Sequence, residues 1–311
     1  MTTSPTHASP DARADELRAF VAVARSGSTI RAAAQLGRTQ PAISARLAAL
    51  ERAWGTRLFS RQSRGMRLTP EGARLLPSAE QVLRGLDELD RLAGLPVARP
   101  AELRLGAGDA LGRELLPKAL ARLLRREREM EVHLREAPTP LLLDALTRGE
   151  IDLALVVMAA GEAPPSGIEL EPLIESPVVL LAPAGKKGKI GREPVPLSAL
   201  AERRLVTLQP DSSFRRHLER AFEAAGVPFK PAVELGNLSL VQRFVAAGLG
   251  FAPVPRVAFT ERSSLRGVRS LDLAGVGPSS YQRAIRAGVP LPVAAEKLMA
   301  ALRERAERME A

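Results

Sequence analysis

The hydrophobic pattern opens with a stripe. Leu17, Phe20, Val21 and Ala24 stand at i, i+3, i+4 and i+7, the spacing of a helix that packs one face on a small core. Ser26-Gly27 closes it. Ser28 then predicts an N-cap for a second helix, TIRAAAQL, whose alanines let a neighbouring helix approach closely. Gly37 supplies a tight turn, Thr39 caps a third helix, and Pro41 falls in its first turn, where a missing N–H does little harm. Along that third helix Ile43, Leu47, Leu50 and Trp54 recur at i, i+4, i+7 and i+11, a buried face. Its other face carries Pro41, Ala42, Ser44, Ala45, Ala48 and Arg52, and residues 57–68 follow as a basic hairpin turning at Gly65.

Thr69-Pro70 starts another helix, with threonine as cap and proline at the first helical position. Leu75, Ala79, Val82, Leu86, Leu89 and Ala93 are spaced 4, 3, 4, 3 and 4 along it, a heptad seam suited to a second copy of the helix. The competing reading packs the same stripe on its own domain. Residues 94–100, GLPVARP, end the helix and form a hinge.

From Ala101 strands and helices alternate. ELRLGAG, MEVHLREA, IDLALVV, PVVLLAP, RRLVTLQ and KPAVELG predict strands. LGRELLPKALARLLRRE, PLLLDALTRG, SFRRHLERAFEAAG and LVQRFVAAGLG predict helices between them, and YQRAIRA and a helix from Pro292 complete the chain. Such an order predicts a parallel sheet with helices on both faces.

Composition narrows the classes. A chain of 311 residues exceeds what one core serves, and 45% hydrophobic residues with mixed charges describe a folded protein. The formal charge of +10 favours an acidic polymer as partner. Its distribution is more telling, because ten arginines between Arg25 and Arg74 face only two acids, Glu51 and Glu71. The absence of cysteine removes disulfides, thiol catalysis and thiol redox sensing. The opening MTTSPTHASP, read as a disordered tail over residues 1–10, has no apolar signal core, and no run of about eighteen apolar residues could span a bilayer. A cytoplasmic protein without a membrane partner is expected.

These features together suit double-stranded DNA. Small side chains on the third helix let it lie deep in a major groove, where its first residues reach base edges. Thr39, Gln40 and Arg38 stand there, and Gln40 is the best reader because glutamine pairs bidentately with adenine. Arg46 and Arg52 are expected at phosphates, with Arg61, Arg64 and Arg67 around the hairpin beside the groove. One recognition helix reads only a few base pairs, so paired half-sites about 34 Å apart require a dimer. An ordinary three-helix bundle with solvated arginines is the bland alternative, and the joint pattern opposes it.

The run SGSTIRAAAQLGRTQPAISARLAALERAWGTRLFSRQSRGMRLTPEG resembles the head of LysR-type transcriptional regulators, and the resemblance continues to the C-terminus. It implies a winged helix-turn-helix over 11–68, a mainly α unit with a linker and dimerisation helix at 69–93. A two-lobed α/β effector domain of periplasmic-binding-protein type follows at 101–311, with lobe I at 101–160 and 265–311 and lobe II at 161–264. The DNA-contacting set becomes Arg31, Arg38, Thr39, Gln40, Pro41, Ser44, Arg46, Arg52, Arg61 and Arg64; the dimer seam is Leu75, Ala79, Val82, Leu86 and Leu89. Two positions depart from the family: a large aromatic is usual where Thr29 stands and a small hydroxyl residue where Ile30 stands.

The resemblance implies a homodimer or a tetramer, a small-molecule co-inducer between the lobes, and RNA polymerase as a further partner. In open α/β sheets ligands sit beyond the carboxyl ends of strands, beside helix N-termini. Three loops of this kind are readable, 106–110, 136–140 and 209–213. They nominate Gly108, Asp109, Ala110, Thr139, Ser212 and Ser213, each of which could equally be a cap or its neighbour. Relatives commonly carry hydroxyl residues where Gly108 and Ala110 stand. This chain's first loop, with Asp109 in it, therefore turns against a carboxylate effector and toward an amine-bearing or neutral one, or none.

Catalysis finds little support. His7, His133 and His217 lie at no metal-ligand spacing, GAGDALG lacks the third glycine of a dinucleotide fingerprint, and no nucleophile-elbow or phosphate-loop signature is present. No catalytic residue, metal or cofactor is expected. A cytoplasmic solute-binding protein, or an architectural DNA-binding protein without effector control, is the alternative.

Overall fold

The computed structural model describes residues 10–62, 65–95, 101–158, 162–185, 190–191, 193–259 and 266–310. The predicted tail lies outside them except for Pro10, and the predicted hinge except for Gly94 and Leu95. The chain divides into two compact units, with the main division after residue 100. No helix among the described residues is long and apolar enough to cross a membrane.

The first unit runs α1 (Pro10–Ser26), α2 (Thr29–Gln35), α3 (Gln40–Trp54), the hairpin β1 (Phe59–Gln62) and β2 (Gly65–Leu68), then α4 (Pro70–Leu92). Local chemistry sets each junction. Ser28 Oγ accepts from Arg31 N, Thr39 Oγ1 accepts from Ala42 N, and Gly37 turns the chain at φ +60°. Glu51 Oε1 accepts from Leu58 N at 2.7 Å and Phe59 N at 3.3 Å, which directs the end of α3 into the wing. Phe20 is fully buried and meets Trp54 and Phe59 edge-on, at centroid distances of 6.3 and 5.6 Å.

α4 starts against β1. Thr69 N donates to Leu58 O at 3.0 Å, Thr69 Oγ1 donates to Arg57 O at 2.7 Å, and Gly72 N donates back to Thr69 Oγ1 at 3.0 Å. The predicted heptad seam divides. Ala79 is buried and Leu75 and Leu86 are half-buried against the head's own core, where Leu83, outside the seam, is also buried. Val82 and Leu89 stay 52% and 62% exposed, beside exposed Leu92.

In the second unit β3 (Glu102–Ala107), α5 (Asp109–Glu114), α6 (Leu116–Arg126), β4 (Glu131–Glu136), α7 (Thr139–Thr147), β5 (Leu153–Met158) and β6 (Ile168–Ser176) come first. Then come β7 (Val178–Pro183), β8 (Val195–Pro196), β9 (Leu205–Leu208), α8 (Ser213–Ala224), β10 (Pro231–Leu235), α9 (Leu238–Ala246), β11 (Ala252–Pro255), β12 (Val268–Ala274), β13 (Ser279–Arg286) and α10 (Val293–Glu310). One sheet has the order β4-β3-β5-β13-β6. The second lobe holds β11-β7-β12-β8 and the parallel pair β10-β9, bridged by Leu205 and Phe251.

Three expectations are corrected here. The sheets are mixed: β3 pairs parallel with β4 and β5, but β13 runs antiparallel to β5 and β6, and β7 antiparallel to β11 and β12. The helix expected over 111–127 breaks at Leu115 into α5 and α6, because Pro117 has no N–H to donate and its ring crowds the carbonyl four residues back. The lobe boundaries also move. β6 lies in the first sheet, so the chain leaves that lobe at Ser176–Val178; β12 lies in the second, so it returns between Ala274 and Ser279. Strand membership depends on distant partners, and β6 reads as an edge strand whose glutamates alternate with apolar residues.

Deep in the first lobe Asp152 holds the starts of β3 and β5 together. Its carboxylate accepts from Arg104 N at 3.1 Å and Arg104 Nη2 at 3.2 Å, while Asp152 N donates to Arg104 O at 2.8 Å. Arg286 lies in the same field: burial lowers its guanidinium's pKa, Asp152 raises it and Arg104 lowers it.

Candidate functional site

The candidate recognition surface lies on α3. Gln40 is exposed, and its Nε2 donates to Ser44 Oγ at 2.9 Å and to Thr29 Oγ1 at 3.4 Å. Thr29 is half-buried, whereas Ile30 is 71% exposed, so Ile30 does not fill a core slot. The departure at these two positions thus places a hydroxyl against Gln40 and an apolar side chain outside.

Arg38, Thr39 and Pro41 are exposed at the start of α3. Arg31 is exposed and donates to Ser26 O, and Arg52 is exposed with its Nε on Ala48 O at 3.2 Å. Arg61 is exposed on β1; Arg64 lies outside the described residues. Arg46 differs from these. Its Nη2 meets Asp15 Oδ2 at 2.6 Å in a partly buried pair that ties α3 to α1, so it reaches a phosphate only by sharing that carboxylate.

The second unit holds a half-open cavity of about 330 Å³. Its walls are the ends of parallel strands and the helix starts that follow: Gly108–Leu111 after β3, Glu136–Thr139 at the end of β4, Leu208, Gln209 and Asp211–Phe214 at the end of β9, and Gly236–Leu238 after β10. Leu155 and Val157 of β5 and Tyr281 of β13 complete it. All six nominated residues, Gly108, Asp109, Ala110, Thr139, Ser212 and Ser213, line this one space.

Several of those side chains are already engaged. Thr139 Oγ1 donates to Val157 O at 3.0 Å and accepts from Val157 N at 3.3 Å, pinning α7 to β5. Ser212 Oγ accepts from Arg215 N at 3.4 Å as the cap of α8, and Ser213 Oγ accepts from Arg216 Nη2 at 2.9 Å. Asp109 caps across the lobes: its Oδ2 accepts from Leu238 N, the first residue of α9, at 2.8 Å. Arg113 runs parallel to this tie, with Nη1 3.4 Å from Asp109 Oδ1 and donating to Ser239 Oγ, and Nη2 donating to Ala258 O at 3.0 Å.

Sequence reasoning missed the fourth wall and the floor. Asn237 follows a strand and caps α9 by accepting from Leu240 N at 2.9 Å, the same strand, cap and helix order that marked the other loops. Tyr281, the chain's sole tyrosine, is 2% exposed. Burial raises its pKa, the Asp109 charge raises it further and Arg113 offsets part of the rise, so the phenol is neutral at any working pH. No local pattern marks a single aromatic on a strand as floor of a cavity.

Comparison with known proteins follows the same division. Residues 14–73 match the family described as bacterial regulatory helix-turn-helix protein, lysR family, and residues 99–307 match the LysR substrate binding domain. A "probable hydrogen peroxide-inducible genes activator" of Streptomyces viridosporus is 33% identical over 294 residues, covering 93% of each chain. Among solved structures, a cysteine-to-aspartate variant of full-length OxyR from Pseudomonas aeruginosa superposes with a TM-score of 0.68 at 26% identity, covering 93% of this chain and 97% of that one. A cysteine mutant of OxyR from Corynebacterium glutamicum gives 0.63 at 25% identity, covering 99% and 94%. With a winged helix-turn-helix head, a two-lobed α/β domain around one cavity and both family matches in register with them, the chain belongs to the LysR family of transcriptional regulators.

Proposed function

We propose that this regulator reads DNA through Gln40, held by Ser44 and Thr29, and takes its signal from a small molecule in the cavity of the second unit. The observation that carries the second half is the convergence of four strand ends and helix starts on one 330 Å³ space. Thr39 caps the reading helix; Arg31, Arg38, Arg52, Arg61 and Arg64 supply phosphate affinity, and Pro41 and Ser44 shape the contact face. The protein works in the cytoplasm as a regulator rather than an enzyme. RNA polymerase is its partner once it is seated on DNA.

The signal is not an oxidant read by a thiol. Relatives are named for hydrogen peroxide-inducible genes, but these 311 residues contain no cysteine, and thiolate oxidation needs one.

Operator binding tests the reading surface. Gln40→Ala is expected to cost about 1–3 kcal/mol at one base pair of each half-site and to leave nonspecific affinity unchanged. Equal losses on operator and random DNA in a fluorescence-anisotropy titration would remove Gln40 from base readout.

The exposed stripe Val82, Leu89 and Leu92 carries a homo-oligomer through paired α4 helices. Leu89→Glu is expected to shift the protein toward monomer in sedimentation velocity and to weaken operator binding; an unchanged distribution places the interface elsewhere.

A further inference from the structure

We infer that the cavity accepts an organic cation, a primary ammonium or guanidinium on a short apolar body. The inference rests on the effector reading above and adds the charge of the ligand. Asp109, Glu136 and Asp211 line the space, and among the described residues no lysine, arginine or histidine does. Helix N-termini around a cavity would ordinarily draw an anion. At α8 and α9 the chain's own acceptors answer them: Asp109 takes Leu238 N, Asn237 takes Leu240 N and Ser212 takes Arg215 N, while α5, which begins at Gly108 without a side-chain cap, carries the Asp109 carboxylate in its own first turn. Asp109 thus sits at the start of α9 where a ligand carboxylate would dock. Nearby Arg113 is held by Asp109, Glu114, Ser239 and Ala258.

The second pointer is Tyr281. Its side chain is almost wholly buried, it lines the same space, and its hydroxyl makes no hydrogen bond to any described residue. Such a group calls for a polar partner from the ligand. Its neutral oxygen can accept an N–H, and Phe214 borders the same space. Glu136 and Asp211 are exposed at the wall, placed to draw a cation in and to grip its far end. Leu155, Val157 and Leu208 receive the body between the charges.

A four-carbon series separates charge from size in calorimetric titration of the full-length protein: putrescine, 1,4-butanediol and succinate, with agmatine as the guanidinium probe. Putrescine or agmatine is expected to bind at least about tenfold tighter than butanediol, and succinate not at all. The double variant Glu136→Gln, Asp211→Asn alters only exposed carboxylates and is expected to lose about tenfold in cation affinity with an unchanged melting temperature. Tyr281→Phe, which keeps the ring, separates the hydroxyl from the fold. Succinate binding without amine binding overturns the cation and leaves the effector cavity standing, as does full cation affinity in the double variant. If none of the four probes binds, the cation is again overturned. The effector reading falls separately, when a mixed library of anionic and neutral metabolites also leaves the melting temperature and operator affinity unmoved.

Discussion

Replacing Asp152 by alanine is expected to cost the second unit about 3–5 kcal/mol, because it takes from the largely buried Arg104 guanidinium the carboxylate it is paired with. The Asp152 side chain is 3% exposed and that of Arg104 11%, so water replaces little of what is lost. Arg286 adds to the effect, since its charge is favoured by Asp152 and disfavoured by Arg104. The backbone suffers as well: Arg104 N loses its acceptor at the point where β3 and β5 begin to pair. A drop on the order of 10 °C in the melting transition of that unit follows. Asp152→Asn keeps an acceptor but not the charge, and its loss is expected to fall between those of wild type and alanine. A cost below about 1 kcal/mol for alanine would falsify the buried-charge account.

Gly72→Ala is expected to disable the head although it improves helix propensity. A Cβ at residue 72 would stand 2.2 Å from Leu58 O and 3.1 Å from both Leu58 C and Leu68 Cδ2. The obstacle is backbone, so no rotamer relieves it, and α4 must move away from β1. That movement breaks the bond from Thr69 N to Leu58 O and loosens the wing whose arginines flank the recognition helix. We expect a loss of about 3 kcal/mol in head stability, the upper range for overpacking. Operator affinity is expected to fall by at least about tenfold, corresponding to 1.4 kcal/mol. Ala73→Gly, at the exposed next position, controls for propensity: about 1 kcal/mol in stability and no change in DNA affinity. Equal behaviour of the two variants would show that the close approach of Gly72 to Leu58 does not constrain the head.

Much of the head was legible because its determinants are local. Ser28 and Thr39 cap the helices they precede, Gly37 turns, and Ile43, Leu47 and Leu50 are buried as their spacing requires. In the second unit three of the four cavity loops were legible from the order of strand, small polar residues and helix. What was not legible depends on partners far along the chain. β6 and β12 could belong to either sheet until their neighbours are known, and the reading assigned both to the wrong lobe. Tyr281 reaches the cavity only because β13 crosses into the first sheet beside β5. Asp109 looked like a cap for its own helix and caps α9 instead, 129 residues away. The heptad seam was legible as a stripe but not as an interface, because spacing alone does not say which neighbour a stripe meets, and the head's own core takes half of it.

The attachment of α4 has a mechanical consequence. Leu75, Ala79, Leu83 and Leu86 pack into the head, and Arg25 grips Glu80 at 2.9 Å, so the helix and the reading surface turn as one rigid body. With 23 residues α4 is a rod about 35 Å long. Tilting it by about 10° about its Leu92 end sweeps the other end through roughly 6 Å, nearly two base-pair steps at about 3.4 Å each. A rotation too small to disturb any buried contact within the head is therefore large enough to carry Gln40, the residue proposed above to read a base, by more than one base-pair step.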